Sequence, residues 1–218
     1  MLARCSSASI QGMEALPVTV EVDLAPGLPG LQLVGLPDTA IQESRERVRA
    51  ALRNSGFRGP LVRVIVNLAP ADRRKEGPAF DLPIALALLV ASGQLDPQKL
   101  EGLCCAGELG LDGSLRSCRG ILAMACQAKS QHAKAFVVPS ANAAEASLVT
   151  GLPIVSATTL AQLVDQLRHG IKNNCCPQPA AEKPATTTSP ASPSTLSSAA
   201  PLTIQHFAQK ALAIAAAG

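Results

Sequence analysis

RRKEGPAFDLPIALALLVASG, residues Arg73 to Gly93, carries the reading that decides the fold. A charged turn leads to a Gly77–Pro78 step, an acid at Asp81, and then a segment that is apolar on nearly every side. Leu82 to Val90 offers no polar face, so it predicts a helix buried between layers. Asp81 is the expected N-cap, Pro83 is tolerated in the first turn, and Gly93 is placed to end the helix. The layout suits an active-site loop, because a helix N-terminus supplies unpaired N–H groups and positive potential. Yet the residue after Gly77–Pro78 is Ala79, which brings no nucleophile.

Upstream of this stretch, LARCSSASI, LPVTVEVDLA and LQLVGL read as strands. Val18, Val20 and Val22 alternate with Thr19, Glu21 and Asp23, the period-2 pattern of a half-buried strand. PGLPG between two of them is turn chemistry, and Gly27, Gly30 and Gly35 are expected as turn glycines rather than a nucleotide loop. Thr39 opens a helix, with Gln42 three residues on as a capping box. VRVIVNLAP, Val62 to Pro70, is the next strand.

Downstream, LCCAGELGL reads as a strand, residues 118–131 as a helix and Phe136 to Val138 as a short strand. A helix over 141–149, a strand at LPIVSA and a helix over 158–169 follow. Strands first and alternating β and α afterwards predict an α/β (α+β) domain with a mixed sheet over residues 1–171. Residues 172–201 are rich in Pro, Ser, Thr and Ala, the composition of a flexible linker. Residues 202–218 predict one short helix.

The 218 residues include no Trp, no Tyr and four Phe, so the core must be aliphatic. That composition argues against binding modes built on aromatic stacking, such as oligonucleotide-binding barrels and RNA-recognition sheets. Seven cysteines without regular spacing do not form a secreted disulfide framework. There is no C-x-x-C, and the three histidines lie far apart, so no metal site is expected. The N-terminus lacks the apolar run of a secretory signal, and no window is long and apolar enough to span a membrane. A cytoplasmic protein with no membrane partner is expected.

A P-loop needs a Gly-Lys pair, and the chain has none, so no nucleotide cofactor is expected within it. Cys118, between Arg116 and Arg119, is a conceivable thiolate nucleophile, but no histidine stands near it in sequence. Charge is concentrated elsewhere. Between Arg45 and Lys75 nine basic residues face only Glu46 and Asp72, giving nine less two, or +7; the whole chain is +3, leaving −4 for the rest. Arg45, Arg49 and Arg53 lie four apart and share one side of a helix; Arg73, Arg74 and Lys75 follow. These six are the candidate nucleic-acid or subunit interface. A solvated helix face, with Glu43–Arg47 as an i,i+4 pair, fits the same residues.

SSASIQGMEALPVTVEVDLAPGLPGLQLVGLPDTAIQESRERVRAAL, EGPAFDLPIALALL and CAGELGLDGSLR closely resemble the amino-terminal domain of the Mg-chelatase-like AAA+ ATPases, the ComM/YifB-type competence-associated family. The likeness spans about residues 2–170. It implies a fold like the Lon-protease catalytic domain and domain 2 of ribosomal protein S5. In Lon-type proteases a serine follows the Gly-Pro of this loop, where Ala79 stands here. Their lysine aligns near Leu122, so the resemblance implies a frame that lacks its Ser–Lys dyad.

The resemblance also places FAQKALAIAAAG just before a Walker A loop, implying a chain truncated ahead of its ATPase module. ATP and magnesium would then be needed only by a separately supplied AAA+ module. The implied role is a non-catalytic accessory domain in DNA processing, with DNA, a second copy of the chain, or that module as partner. A Lon-like peptidase using an unrecognised nucleophile and a nonfunctional remnant are the alternatives. The family name evokes porphyrin metallation, but no residue pattern here makes a porphyrin site.

Overall fold

The computed structural model describes residues 2–170. The linker expected over 172–201 and the helix over 202–218 lie outside the described residues.

Nine strands and five helices follow one another in the order β1 (Leu2–Gln11), β2 (Glu14–Ala25), β3 (Gly30–Val34), α1 (Thr39–Asn54), β4 (Arg63–Ala69), α2 (Asp81–Ala91), β5 (Leu103–Cys105), β6 (Glu108–Leu109), β7 (Leu115–Arg116), α3 (Ile121–Ser130), β8 (Ala135–Pro139), α4 (Ala143–Ala146), β9 (Ile154–Ala157) and α5 (Leu160–His169). Seven strands form one sheet in the order β3-β4-β2-β1-β5-β8-β9, and β6 pairs with β7 in a separate ribbon. β2 runs antiparallel to both β1 and β4, while β3–β4, β1–β5, β5–β8 and β8–β9 are parallel. The mixed α/β architecture read from the sequence is present.

Side-chain alternation along the strands sorts the core into two layers. Ala3 and Cys5 of β1, Val18, Val20 and Val22 of β2, Val64, Val66 and Leu68 of β4, and Val137 of β8 face α1, α2 and α5. Ala8, Cys104, Phe136 and Val138 point the other way and pack against α3 and α4. The sheet is therefore a middle layer with helices on both faces, which is why β8 is buried along its whole length. α2 is the innermost helix. All eleven of its residues are buried, against β1 and β2 beneath it and α1 beside it.

Several boundaries differ from the sequence reading. The N-cap of α1 is Asp38, one residue before Thr39; its carboxylate accepts the Ile41 N–H at 2.8 Å, so no Thr39–Gln42 capping box forms. Aspartate ranks above threonine as a cap, and an extended backbone at residue 38 aims it correctly. Asp81 is not an N-cap either. A turn of 3-10 helix over Pro78–Phe80 runs straight into α2, placing Asp81 inside the first turn with its side chain turned inward. The strand read over LCCAGELGL breaks at Ala106–Gly107 into β5 and β6, and the helix read over 141–149 shrinks to one 3-10 turn followed by α4. Gly35, with φ of 98°, passes so close to the Leu68 carbonyl that a Cβ there would collide with it.

Asp81 is fully buried and is held by Arg47 of α1, whose Nε and Nη2 donate to its two oxygens at 2.7 and 3.1 Å. The Leu109 amide donates to the same carboxylate at 3.2 Å, and Arg47 also donates to the Ala40 carbonyl at 2.8 Å. Glu43, the partner expected for Arg47, stands farther off at 3.6 Å on the exposed side. Removing one member of a buried pair leaves an uncompensated charge, which costs about 3–5 kcal/mol. Arg47→Met is accordingly expected to lower unfolding stability in urea by about 3 kcal/mol, with much of the loss recovered in Arg47→Met/Asp81→Leu. A single variant within about 0.5 kcal/mol of the parent would show that this pair does not clasp the layers.

Candidate functional site

Hydrogen bonds tie down the Gly77–Asp81 loop at both ends. Gly77, with φ of 87°, turns the chain, and its N–H donates to the Asp38 carboxylate at 2.9 Å. Asp38 thus caps α1 with one oxygen and ties down the loop with the other. Two backbone amides at the start of α2 are already engaged. The Leu82 amide donates to the Gly107 carbonyl at 3.0 Å, and the Gly107 amide donates back to the Ala79 carbonyl at 2.9 Å. Gly107 suits this close crossing, because a Cβ there would press on Leu82 and Pro139.

What lies at the mouth of this loop is apolar. Ala79 is 4% exposed and belongs to one cluster with Ala8, Ala106, Cys118 and Ile121, with Ile10 packed against it. Leu122, the position aligned to a catalytic lysine, is 41% exposed, and its amide donates to Glu145 Oε1 at 3.0 Å. Asn142 is buried beside it. Its carbonyl oxygen accepts the Cys118 N–H at 2.9 Å, and its amide nitrogen donates to the Cys118 carbonyl at 3.0 Å and to Glu145 at 3.2 Å. Asn142 and Glu145 therefore brace the start of α3 instead of holding a substrate. The sequence alone gave no sign of either role, since their partners lie more than twenty residues away.

Cys118 is a poor nucleophile in this setting. Burial pushes its thiol up to about 12, outweighing a backbone hydrogen bond, so it is protonated at neutral pH. Cys104 is raised to about 12 for the same reason. Among the described residues, no group of three His, Cys, Asp or Glu side chains is placed to hold a metal ion. No described helix is long and apolar enough to cross a membrane.

The six basic candidates do not form one patch. Arg45, Arg49 and Arg53 are exposed along α1, spanning about 12 Å of helix. Arg45 bends back to donate to the Gln42 carbonyl at 3.0 Å, while Arg49 and Arg53 line a groove beside β3. Arg73 and Arg74 are exposed on the loop before Gly77, with Asp72 and Glu76 as neighbours at 3.8 Å. Lys75 must be withdrawn from the interface. It is 1% exposed, and its amine donates to the Pro70 carbonyl and, at 2.7 Å, to the Arg73 carbonyl. Burial lowers its affinity for the proton, partly offset by Asp72. Its backbone meanwhile bonds Leu36 and Asp38, so the loop docks at the first turn of α1, about 20 Å along the axis from Arg53. A run of three basic residues reads as solvated because each prefers water, yet two carbonyls at the right reach can hold one amine inside.

Residues 20–142 match the family model described as subunit ChlI of Mg-chelatase. The chain is 43% identical over 167 residues to the uncharacterized protein Rv2897c of Mycobacterium tuberculosis, covering 77% of this chain and 33% of that protein. To YifB of Escherichia coli it is 47% identical over 140 residues, 64% of this chain and 28% of the relative. To the competence protein ComM of Haemophilus influenzae it is 43% identical over 166 residues, 76% and 32% respectively. The chain thus spans about a third of the length of the curated relatives it matches.

The thiols make the chemistry of this region measurable. At pH 8 in native buffer, a thiol-reactive disulfide reagent followed by peptide mass analysis is expected to label exposed Cys126 and leave Cys118 unmodified. Cys104 and Cys118 titrate near 9.0 in an unfolded chain and near 12 when folded. The folded state therefore holds the proton more tightly. The stability this lends is complete below pH 9 and is lost as pH rises from 9 towards 12, by up to about 1.4 kcal/mol per pH unit for each thiol. Replacing both by Ala should flatten that alkaline loss in urea titrations; an unchanged slope would mean the thiols are not its source.

Proposed function

The chain belongs to the ChlI family of Mg-chelatase subunits, and from that membership we propose that it is a non-catalytic accessory domain of a Mg-chelatase-like ATPase, docking an anionic partner through the arginine face of α1. The observation that carries this reading is the state of the α2 loop. Ala79 stands after the Gly77–Pro78 step in an apolar cluster, the Cys118 thiol in that cluster is protonated, and the Leu82 and Gly107 amides are already bonded. A stabilised oxyanion needs preorganised donors that have no other partner. None is offered by those two groups, which supports a role in contact rather than in bond chemistry.

The contact surface follows from charge and exposure. Arg45, Arg49 and Arg53 are all exposed on one helix, and the 45–75 stretch holds nine of the chain's 19 Lys and Arg residues. One relative is named for competence, which makes DNA one such partner; a second copy of the chain and a separately encoded AAA+ module are others. ATP and magnesium enter this reading only with such a module. Arginines spaced along a helix bind any polyanion weakly, with an affinity that falls as salt releases the advantage of counterion displacement.

Two assays test the proposal together. Casein and short peptides incubated with the purified chain are expected to remain at background turnover, unchanged in Cys118→Ala; hydrolysis abolished by that substitution would restore the peptidase alternative. In filter binding, retention of duplex DNA is expected to be weak, to fall between 50 and 200 mM salt by about an order of magnitude or more, and to be lost in Arg45→Ala/Arg49→Ala/Arg53→Ala. Retention that ignores salt or survives the triple substitution would refute this choice of surface.

A further inference from the structure

β3 lies at the outer end of the seven-stranded sheet, hydrogen-bonded to β4 on one side and to no strand on the other among the described residues. Its sequence, Gly-Leu-Gln-Leu-Val, contains none of the devices by which proteins protect an edge: no charge, no proline within the strand, no bulge. Two leucines stand out in solvent at the same end of the sheet. Leu28, two residues before β3, is 89% exposed, and Leu61, two residues before β4, is 85% exposed.

Beside this edge runs a groove of about 360 Å³. Leu31, Leu61, Val64 and Leu88 supply its apolar lining, and Arg49 and Arg53 of α1 its charge, with Glu46 the single carboxylate. On the opposite face of the same edge, Arg63 is exposed and donates to the Gln32 side chain at 3.0 Å. A strand added to β3 would point alternate side chains to these two faces, and each face presents arginine.

We propose that the free edge of β3 is a docking site for an extended peptide segment that carries carboxylates between apolar residues, taken up as an eighth strand. The proposal rests on the reading of α1 as the contact face and names its partner. Backbone hydrogen bonds to β3 supply affinity, and the groove supplies specificity, the division of labour in strand addition. Apolar side chains of the segment lie against Leu31 and Leu61, while its carboxylates meet Arg49 and Arg53 on one face and Arg63 on the other.

Charge complementarity selects this occupant. A second copy would bring its own arginines against Arg49 and Arg53. Duplex DNA gains nothing from an apolar groove lined by Leu31, Leu61, Val64 and Leu88, and single-stranded bases find no aromatic platform in a chain without Trp or Tyr.

The test uses the 218-residue chain and a fluorescein-labelled ten-residue peptide of repeating Glu-Glu-Val-Val, which puts both residue types on each face of a strand, followed by anisotropy. Saturable binding is expected. It should weaken about tenfold or more in Arg49→Ala/Arg53→Ala and when alternate peptide nitrogens are methylated, since each change removes hydrogen-bond donors. Leu61→Glu, at an exposed position that leaves the core untouched, should weaken it similarly, and a Lys–Val peptide should not bind. Equal binding of the methylated peptide would overturn strand addition. Absence of saturable binding, or displacement of the peptide by substoichiometric duplex DNA, would overturn the peptide as occupant. In the latter case, DNA retention sensitive to Arg49 and Arg53 would leave the α1 contact face standing; loss of both ligands would remove both readings. Self-association of the free chain, abolished by Leu61→Glu in sedimentation, would assign the edge to a second copy instead.

Discussion

A carboxylate in the first turn of a helix buried on all sides is the constraint from which the rest of this structure follows. Asp81 has no exposure, so burial holds its carboxyl above the usual range, and the Arg47 guanidinium offsets only part of that rise. The same bond makes Arg47 hold its proton more firmly. The two effects oppose each other, and the bidentate geometry decides between them: contacts at 2.7 and 3.1 Å are those of an ionised pair. To make that pair, α1 must lie across the start of α2. With the Leu109 amide on the same oxygens and Asp38 holding Gly77, α1, α2, β6 and the loop between them are fixed in one arrangement. The pair need not be the most stabilising solution, since apolar replacements of buried ion pairs often match them. Its value is positional.

That positioning separates the two regions where function could reside. The α2 loop has an apolar interior, while the outer side of α1 is basic and open and the edge at β3 is uncharged and open. Both depend on α1. One of its sides is consumed in packing by Ile41, Val48 and Leu52 and by the Arg47–Asp81 bond. The other carries Arg45, Arg49 and Arg53. A single helix is thus the clasp of the core and the bearer of the charge.

Much of this was legible in the sequence, and what was not has definite causes. The alternation of Val18, Val20 and Val22 and the unbroken apolar run from Leu82 to Val90 identified strand and buried helix, because burial periodicity is a local property. Asp81 was misread as a cap because an acid before an apolar run is the usual cap signature; only a partner thirty-four residues away turns it inward. Lys75 looked like part of a basic surface for the same reason, its carbonyl partners being set by loop geometry. Asn142 and the open edge of β3 are products of topology, which residue order does not reveal.

The reciprocal bonds between Ala79, Gly107 and Leu82 have a consequence for anyone hoping to awaken hydrolysis in this frame. A serine at residue 79 and a lysine near residue 122 would meet a backbone in which the Leu82 and Gly107 amides are already tied into the crossing of two segments. Freeing those two donors would require loosening a chain crossing as well as changing side chains.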